Sequence, residues 1–119
     1  MKVECLIEKL SKNIQQVEKI AGKNHSLPVI NCILLEATKN SFIIRSTNLD
    51  LGIEISMPVK VIEEGMVAIP AGILGAFLSS ISGDKSVVLS KEENSLLVST
   101  TKNSTNIKTH PVDDFPNIP

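Results

Sequence analysis

An internal repeat constrains the fold of this chain more than any other feature of its sequence. The segment Asn40–Thr47 returns as Asn94–Thr101, 54 positions later. Pro58 and Pro111 form a further pair, 53 positions apart. A repeat of this length indicates one supersecondary unit used twice, in which each copy buries an apolar face that it cannot cover alone. The repeat therefore predicts a symmetric scaffold rather than an enzyme built around one asymmetric cleft.

Each copy shows the same order of helical and alternating patterns. Apolar residues recur at helical spacing over 7–21 and again over 70–82, and each stretch ends near a glycine. Pro70 is predicted at the first helical position, which does not use its N–H. The order predicts a duplicated β-α-β-β-β unit, an α+β fold with two helices on one face of antiparallel sheets. The predicted strands cover residues 1–6, 29–37, 41–46 and 49–61, and then 66–69, 86–90, 95–100 and 103–109.

Composition limits the classes of function. The 119 residues suffice for one domain with a real core. Aromatic residues make up 3% of the chain, with no Trp or Tyr, and the net charge is −1. These values argue against a base-stacking surface and against a free-standing basic DNA-binding domain. Cys5 and Cys32 are predicted to be buried core thiols, and no apolar run is long enough for a signal peptide or a membrane span, so we expect a cytoplasmic location.

The sequence offers no catalytic or metal-binding constellation. His25 and His110 stand alone, without Cys or carboxylate partners at metal-ligand spacing. Gly72 and Gly75 lack the lysine and the spacing of a phosphate-binding loop. We therefore predict neither a catalytic residue nor a metal site, and no cofactor.

Lysines form a stripe on the first predicted helix. With Lys9 at zero and each residue adding about 100°, Lys19, Lys12 and Lys23 fall at about 280°, 300° and 320°. The apolar stripe lies almost opposite. One interpretation is an ordinary solvated helix face; the other is a surface for phosphate groups, with weak, non-specific and salt-sensitive binding. The second helix presents only small uncharged residues outward, which indicates either close approach by a neighbouring backbone or simple tolerance of glycine.

Four motifs in order resemble the N-terminal domain of the bacterial DNA polymerase III beta subunit, the sliding clamp. The similarity runs the whole length of the chain. The motifs are Leu27-Pro28-Val29-Ile30 with Leu34-Leu35-Glu36, Thr47-Asn48-Leu49-Asp50-Leu51, Ile69-Pro70-Ala71 and Pro111-Val112-Asp113-Asp114-Phe115-Pro116.

The resemblance implies a DNA-clamp fold and a function without catalysis. It implies that residues 1–119 form the first of three domains, with 111–119 beginning the connector, and that two subunits close head to tail around double-stranded DNA. Polymerase and clamp loader would bind domains beyond this chain. The resemblance also implies that the protein acts in the cytoplasm and not at a membrane. The DNA-facing residues implied are Lys9, Lys12, Lys19, Lys23, Asn24 and His25. The subunit-interface residues implied, on the last strand and second helix, are Thr105, Ile107, Leu74 and Phe77.

Three positions depart from the family pattern. Asn24 stands where an arginine is common, Gly72 where a basic residue is common, and Thr105 where a large apolar residue is common. The alternative interpretation is a stand-alone duplicated module that oligomerises through edge strands and binds proteins. A weaker alternative is an enzyme whose site forms only between subunits.

Overall fold

The computed structural model describes residues 1–19, 32–39, 41–47 and 51–114. These residues form nine strands, two helices and a short 3₁₀ turn. The first repeat and the strand after it comprise β1 (Lys2–Leu6), α1 (Ile7–Glu18), β2 (Cys32–Ala37), β3 (Phe42–Thr47), β4 (Gly52–Met57) and β5 (Lys60–Glu63). The second repeat comprises β6 (Gly65–Pro70), α2 (Ala71–Ser80), β7 (Ser86–Lys91), β8 (Ser95–Ser99) and β9 (Ser104–Lys108), and it is followed by the 3₁₀ turn Val112–Asp114.

The predicted order of elements is confirmed, with two corrections near prolines. The single strand predicted over 49–61 is two strands, because Pro58 and Val59 carry the chain from β4 in one sheet to β5 in the other. Pro70 ends β6 with extended backbone angles, φ −63° and ψ 124°, and therefore precedes α2 instead of occupying its first turn. Proline is compatible with both positions because neither needs its missing N–H for a helix or ladder hydrogen bond.

The two repeats exchange their first strands. One sheet has the order β5-β1-β7-β8-β9, and the other has the order β4-β3-β2-β6. Thus β1, from the first repeat, pairs with β7 of the second, and β6 pairs with β2 of the first. The registers agree, since Val3 lies opposite Leu89 just as Val67 lies opposite Leu35. Neither repeat can complete its sheet without the other.

The strand registers correct one detail of the predicted repeat. Met57 lies opposite Phe42 and Ile107 lies opposite Leu96, so equivalent positions beyond the hairpins are 50 residues apart. Pro58 and Pro111, 53 apart, are therefore not equivalent in the fold. The difference arises because six residue pairs run from Phe42–Met57 to the end of the β3–β4 hairpin, whereas four run from Leu96–Ile107 to the end of the β8–β9 hairpin.

A single hydrophobic core joins both sheets and both helices. In α1 the buried residues follow helical spacing, namely Ile7, Leu10, Ile14 and Val17. Fully burying a side chain such as Leu10 contributes about 1.5–3 kcal/mol, which is how this short amphipathic helix is held in place. Both cysteines are buried as predicted.

Two features of the four-stranded sheet complete the fold, one on the face away from the core and one at its β6 edge. Arg45 on β3 bridges its neighbours, with Nη1 2.7 Å from Glu36 Oε1 and Nε 2.9 Å from Glu54 Oε2. Beyond β9 the His110 N–H donates to the Ala68 carbonyl at 2.9 Å, and the 3₁₀ turn packs against β6. The described part of the predicted connector thus packs on this domain itself, and residues 115–119 lie outside the described residues.

Candidate nucleic-acid interface

The lysine stripe lies on the exposed side of α1. Lys9 and Lys12 project from the helix and Lys19 is its C-terminal cap residue, and all three are exposed. Their placement follows from the burial of the apolar stripe, because a helix that buries one face turns the opposite face to solvent. Lys23, Asn24 and His25, the remaining predicted DNA-facing residues, lie outside the described residues.

An acidic residue interrupts this stripe, which the sequence interpretation overlooked. Glu8 falls at about 260° on the helical projection, beside Lys19 and one turn before Lys12. Its side chain is exposed, and its position in the first turn complements the positive end of the helix dipole. The face is therefore weakly basic, because Glu8 offsets the charge of Lys9 in the first turn and leaves Lys12 and Lys19 further along the helix.

The two helices pack side by side, and their contact explains one of the two glycines of α2. A side chain at Gly75 would meet the Glu18 carboxylate and would lie 3.6 Å from Ile14 Cγ2. The sequence interpretation offered close approach by a backbone, but the neighbouring atoms belong to side chains of α1. Gly72 has no such neighbour, since nothing lies within 4 Å of a Cβ built there. Next to this contact runs an open groove of about 460 Å³, lined by Glu8, Ser11, Lys12, Gln15 and Ser79 with Ile7 and Leu78.

The second helix contains no charged residue, so α1 alone of the two helices carries basic side chains. Its most exposed large apolar side chain is Ile73, 54% exposed, which corresponds in the repeat to Lys9 of α1. Helical spacing alone predicts Ile73 in the buried stripe of α2. Only the packed structure shows that this position faces outward.

The predicted interface residues divide into buried and accessible ones. Leu74 and Ile107 belong to the core and are 0% and 2% exposed. In this domain both side chains pack in the core, and the assignment of the two residues to the interface stays a prediction. Phe77 is half-buried against the core, and Thr105 is half-buried on β9. Within the described part of the chain, β9 pairs only with β8, which leaves its other edge open.

The two cysteines are buried in the protein interior. Burial raises the pKa of the Cys5 thiol to about 12, with a smaller contribution from Glu4, and raises that of Cys32 to about 11. Both cysteines are therefore protonated thiols at neutral pH. No cluster of three His, Cys, Asp or Glu side chains suited to a metal ion occurs among the residues described. Over the same residues, neither helix has the length and apolar character needed to cross a bilayer.

Comparison with known proteins supplies the family. The model of the DNA polymerase III beta subunit, N-terminal domain, matches residues 1–119. Two similar proteins are beta sliding clamps, one from Haemophilus influenzae at 27% identity over 114 residues and one from Synechococcus elongatus at 25% over 121 residues. The matches cover 93% and 100% of this chain but 31% and 32% of those proteins. The chain thus spans about a third of the length of its curated relatives.

Solved structures agree with this assignment. The DNA polymerase III subunit beta from Pseudomonas aeruginosa is 25% identical, with a TM-score of 0.93 over 100% of this chain and 32% of its own. The beta clamp of Helicobacter pylori, crystallised with carprofen, has a TM-score of 0.90 at 21% identity and covers the chain to the same extent, which supports the fold alone. The duplicated, strand-exchanged fold and the full-length family match together establish that this chain belongs to the DNA polymerase III beta subunit family, as its N-terminal domain.

Proposed function

We propose that this chain acts as the first domain of a sliding clamp, a non-catalytic processivity factor that encircles duplex DNA and tethers a polymerase. The observation that carries the proposal is the family match over the whole chain. A duplicated scaffold with one weakly basic helix face fits a ring that must slide, since sliding requires contact without tight binding. The polymerase and the clamp loader would bind parts of the subunit beyond these residues.

We assign the DNA contact to the exposed face of α1. Each phosphate neutralised by a lysine contributes about −0.9 to the slope of log affinity against log salt. The three described lysines therefore give a slope no steeper than about −3, and Glu8 reduces it. Such contact is independent of base sequence and is lost at moderate salt. Lys23, Asn24 and His25 stay predicted contacts.

The test is a double charge reversal with a matched control. Lys12→Glu/Lys19→Glu is compared with Lys39→Glu/Lys60→Glu, which makes the same change in net charge at exposed lysines outside α1. Fluorescence anisotropy with a labelled duplex, measured at several salt concentrations, reports the affinity and its slope. We expect the α1 variant to flatten the slope by about two, and the control to keep it. Equal slopes in both variants would remove the DNA contact from α1.

We assign the subunit interface to the open edge of β9 together with Ile73 and Phe77 of α2. An unpaired edge strand is a liability unless another strand covers it. The assignment retains Thr105 and the backbone of Ile107 but replaces the Leu74 side chain by that of Ile73. In the full-length subunit, Ile73→Lys should reduce dimerisation in sedimentation experiments more than Ile62→Lys, a control of similar exposure on β5. Equal effects would contradict this interface.

A sliding clamp of three domains also has a predictable molecular mass. A first domain of a three-domain subunit implies a protein about three times the 12.9 kDa of this chain, as expected for relatives of which it spans about a third. The intact mass of the protein made by the source cell measures this directly. A natural mass of 12.9 kDa would favour the stand-alone, edge-pairing module instead.

A further inference from the structure

A single carboxylate connects the two elements that carry the proposed subunit interface. Asp84 is half-buried in the segment 81–85, which leads from α2 into β7. Its Oδ2 accepts a hydrogen bond from the Thr100 hydroxyl at 2.7 Å, and the side-chain amide of Asn103 donates to the same oxygen at 3.5 Å. Thr100 and Asn103 are the first and last residues of the turn between β8 and β9. The contact therefore links the exit of α2 to the start of β9.

The Thr100 side chain joins the backbone of this turn to Asp84. Its hydroxyl donates to Asp84 and accepts from the Asn103 N–H at 3.0 Å, while the Thr100 N–H donates to the Asn103 carbonyl at 2.7 Å. The Asn103 carbonyl is the other acceptor within reach of the hydroxyl, but it is farther away, at 3.3 Å. Hydrogen bonds to a carboxylate are shorter and stronger than those between neutral groups. The Asp84 carboxylate is therefore the preferred acceptor, and it orients the hydroxyl.

The first repeat shows that the duplicated fold does not require this contact. Ser46 is the equivalent of Thr100, because Asn40–Thr47 returns as Asn94–Thr101. Its hydroxyl is buried and has no hydrogen-bond partner among the described residues, yet β3 and β4 pair over six residues. The contact thus belongs to the second repeat, whose last strand, β9, is part of the proposed interface.

The start of β9 has few other restraints. Among the described strands β9 pairs only with β8, and the hydrogen bond from the Thr109 N–H to the Asn94 carbonyl lies beyond its opposite end. A second subunit that contacts both β9 and the α2 side chains Ile73 and Phe77 needs these elements at one relative position. Without a restraint, that position would have to be ordered on association, at a cost in affinity.

We propose that Asp84 is a positioning residue for the subunit interface. It acts through Thr100 and holds the start of β9 in place relative to α2, so that a second subunit meets both elements in one geometry. The inference rests on the proposed function, because it takes β9 and α2 as the interface. It adds a residue outside both elements on which the strength of subunit association depends.

The test compares two variants that remove the same charge in the full-length subunit. Asp84→Asn keeps a side-chain oxygen that accepts from Thr100, whereas Asp84→Leu does not. Fluorescence-detected sedimentation of labelled subunits measures the dissociation constant of the dimer. We expect Asp84→Leu to raise it about tenfold, since a hydrogen bond to a charged group contributes on that scale, and Asp84→Asn to stay within about threefold of the unchanged protein.

A second pair of variants tests the same hydrogen bond from its donor. Thr100→Val should weaken the dimer as Asp84→Leu does, and Thr100→Ser should not. The two weakening changes should not add when combined, because they remove one interaction. Glu64→Leu, on the exposed turn between β5 and β6, is the charge control and should leave the dimer unchanged. Thermal unfolding followed by circular dichroism restricts the comparison to temperatures at which every variant is folded, where a merely structural role would not change the dissociation constant.

The outcomes separate this inference from the interface on which it rests. Equal dissociation constants for the Asn and Leu variants at position 84, whether both tight or both weak, would overturn the positioning role, and so would equal constants for the Val and Ser variants at position 100. If Ile73→Lys dissociates the dimer while Asp84→Leu does not, the interface stands and the role of Asp84 fails. If Ile73→Lys also leaves the dimer intact, the proposed interface itself is wrong.

Discussion

Replacing Leu89 with alanine tests whether the exchanged strands make this domain one cooperative unit. Leu89 is fully buried on β7, opposite Val3 of the first repeat and Val98 of the second. A buried Leu→Ala substitution costs the transfer free energy of the lost atoms and the energy of the cavity, about 3–4 kcal/mol here. That is a large share of the roughly 5–15 kcal/mol by which a domain is stable.

Urea denaturation measures this loss. At an m-value of about 1.5 kcal/mol/M, the midpoint should fall by about 2 M. Because the chain has no Trp or Tyr, circular dichroism and methyl NMR signals are the suitable probes. Leu35→Ala, at the equivalent position in the other sheet, is the matched variant and should shift the same single transition by a similar amount.

The refuting result is a division of the transition. If Leu89→Ala unfolds its five-stranded sheet while the methyl signal of Leu35 stays native, the two sheets unfold independently. The reasoning from strand exchange would then be wrong, because each sheet contains a strand that the other repeat supplies.

Three further predictions concern individual residues. Gly72→Ala should stabilise the chain by up to about 1 kcal/mol, since the site is open and helical, whereas Gly83→Ala should destabilise it in the same thermal scan, because Gly83 has φ +88°. Burial raises the pKa of Cys5 and Cys32, so the folded state keeps its thiol protons at a pH where the unfolded state loses them. The free energy of unfolding should therefore be constant near neutral pH and fall as the pH rises above about 9. Urea midpoints from pH 7 to 10 check this, and a double Cys→Ala variant should lose the decrease in midpoint above pH 9. Arg45→Gln should cost under about 1 kcal/mol in the same denaturation assay despite its two short ion pairs, because this network is partly solvated.

Local patterns predicted the elements of this fold because they depend on short-range rules. The apolar residues of α1 that the 3.6-residue period selected are the buried ones of that helix. The strand predicted over 41–46 is likewise confirmed as β3, in which Phe42 and Ile44 face the core. Prolines were harder to interpret, since proline permits several positions and only the path of the chain selected the end of β6 for Pro70 and the crossing between sheets for Pro58.

The candidate DNA-contact residues show the same division. Spacing along one helix placed Lys9, Lys12 and Lys19 on one exposed face. Spacing did not separate Ile73 from Leu74, since both fit the apolar stripe of α2, and packing buried Leu74 while leaving Ile73 exposed. A helix that is apolar on most sides has no pattern from which its outward side can be predicted.

The sequence by itself determined that one unit occurs twice, the order of its helices and strands, and that one helix carries the basic charge. It did so because repetition and periodicity are properties of the chain alone. Only the tertiary structure decided that β1 and β6 change places and that Pro58 and Pro111 are not equivalent. These facts depend on which strands pair across the repeats, and pairing between residues such as Val3 and Leu89 is fixed by shared burial rather than by either segment alone.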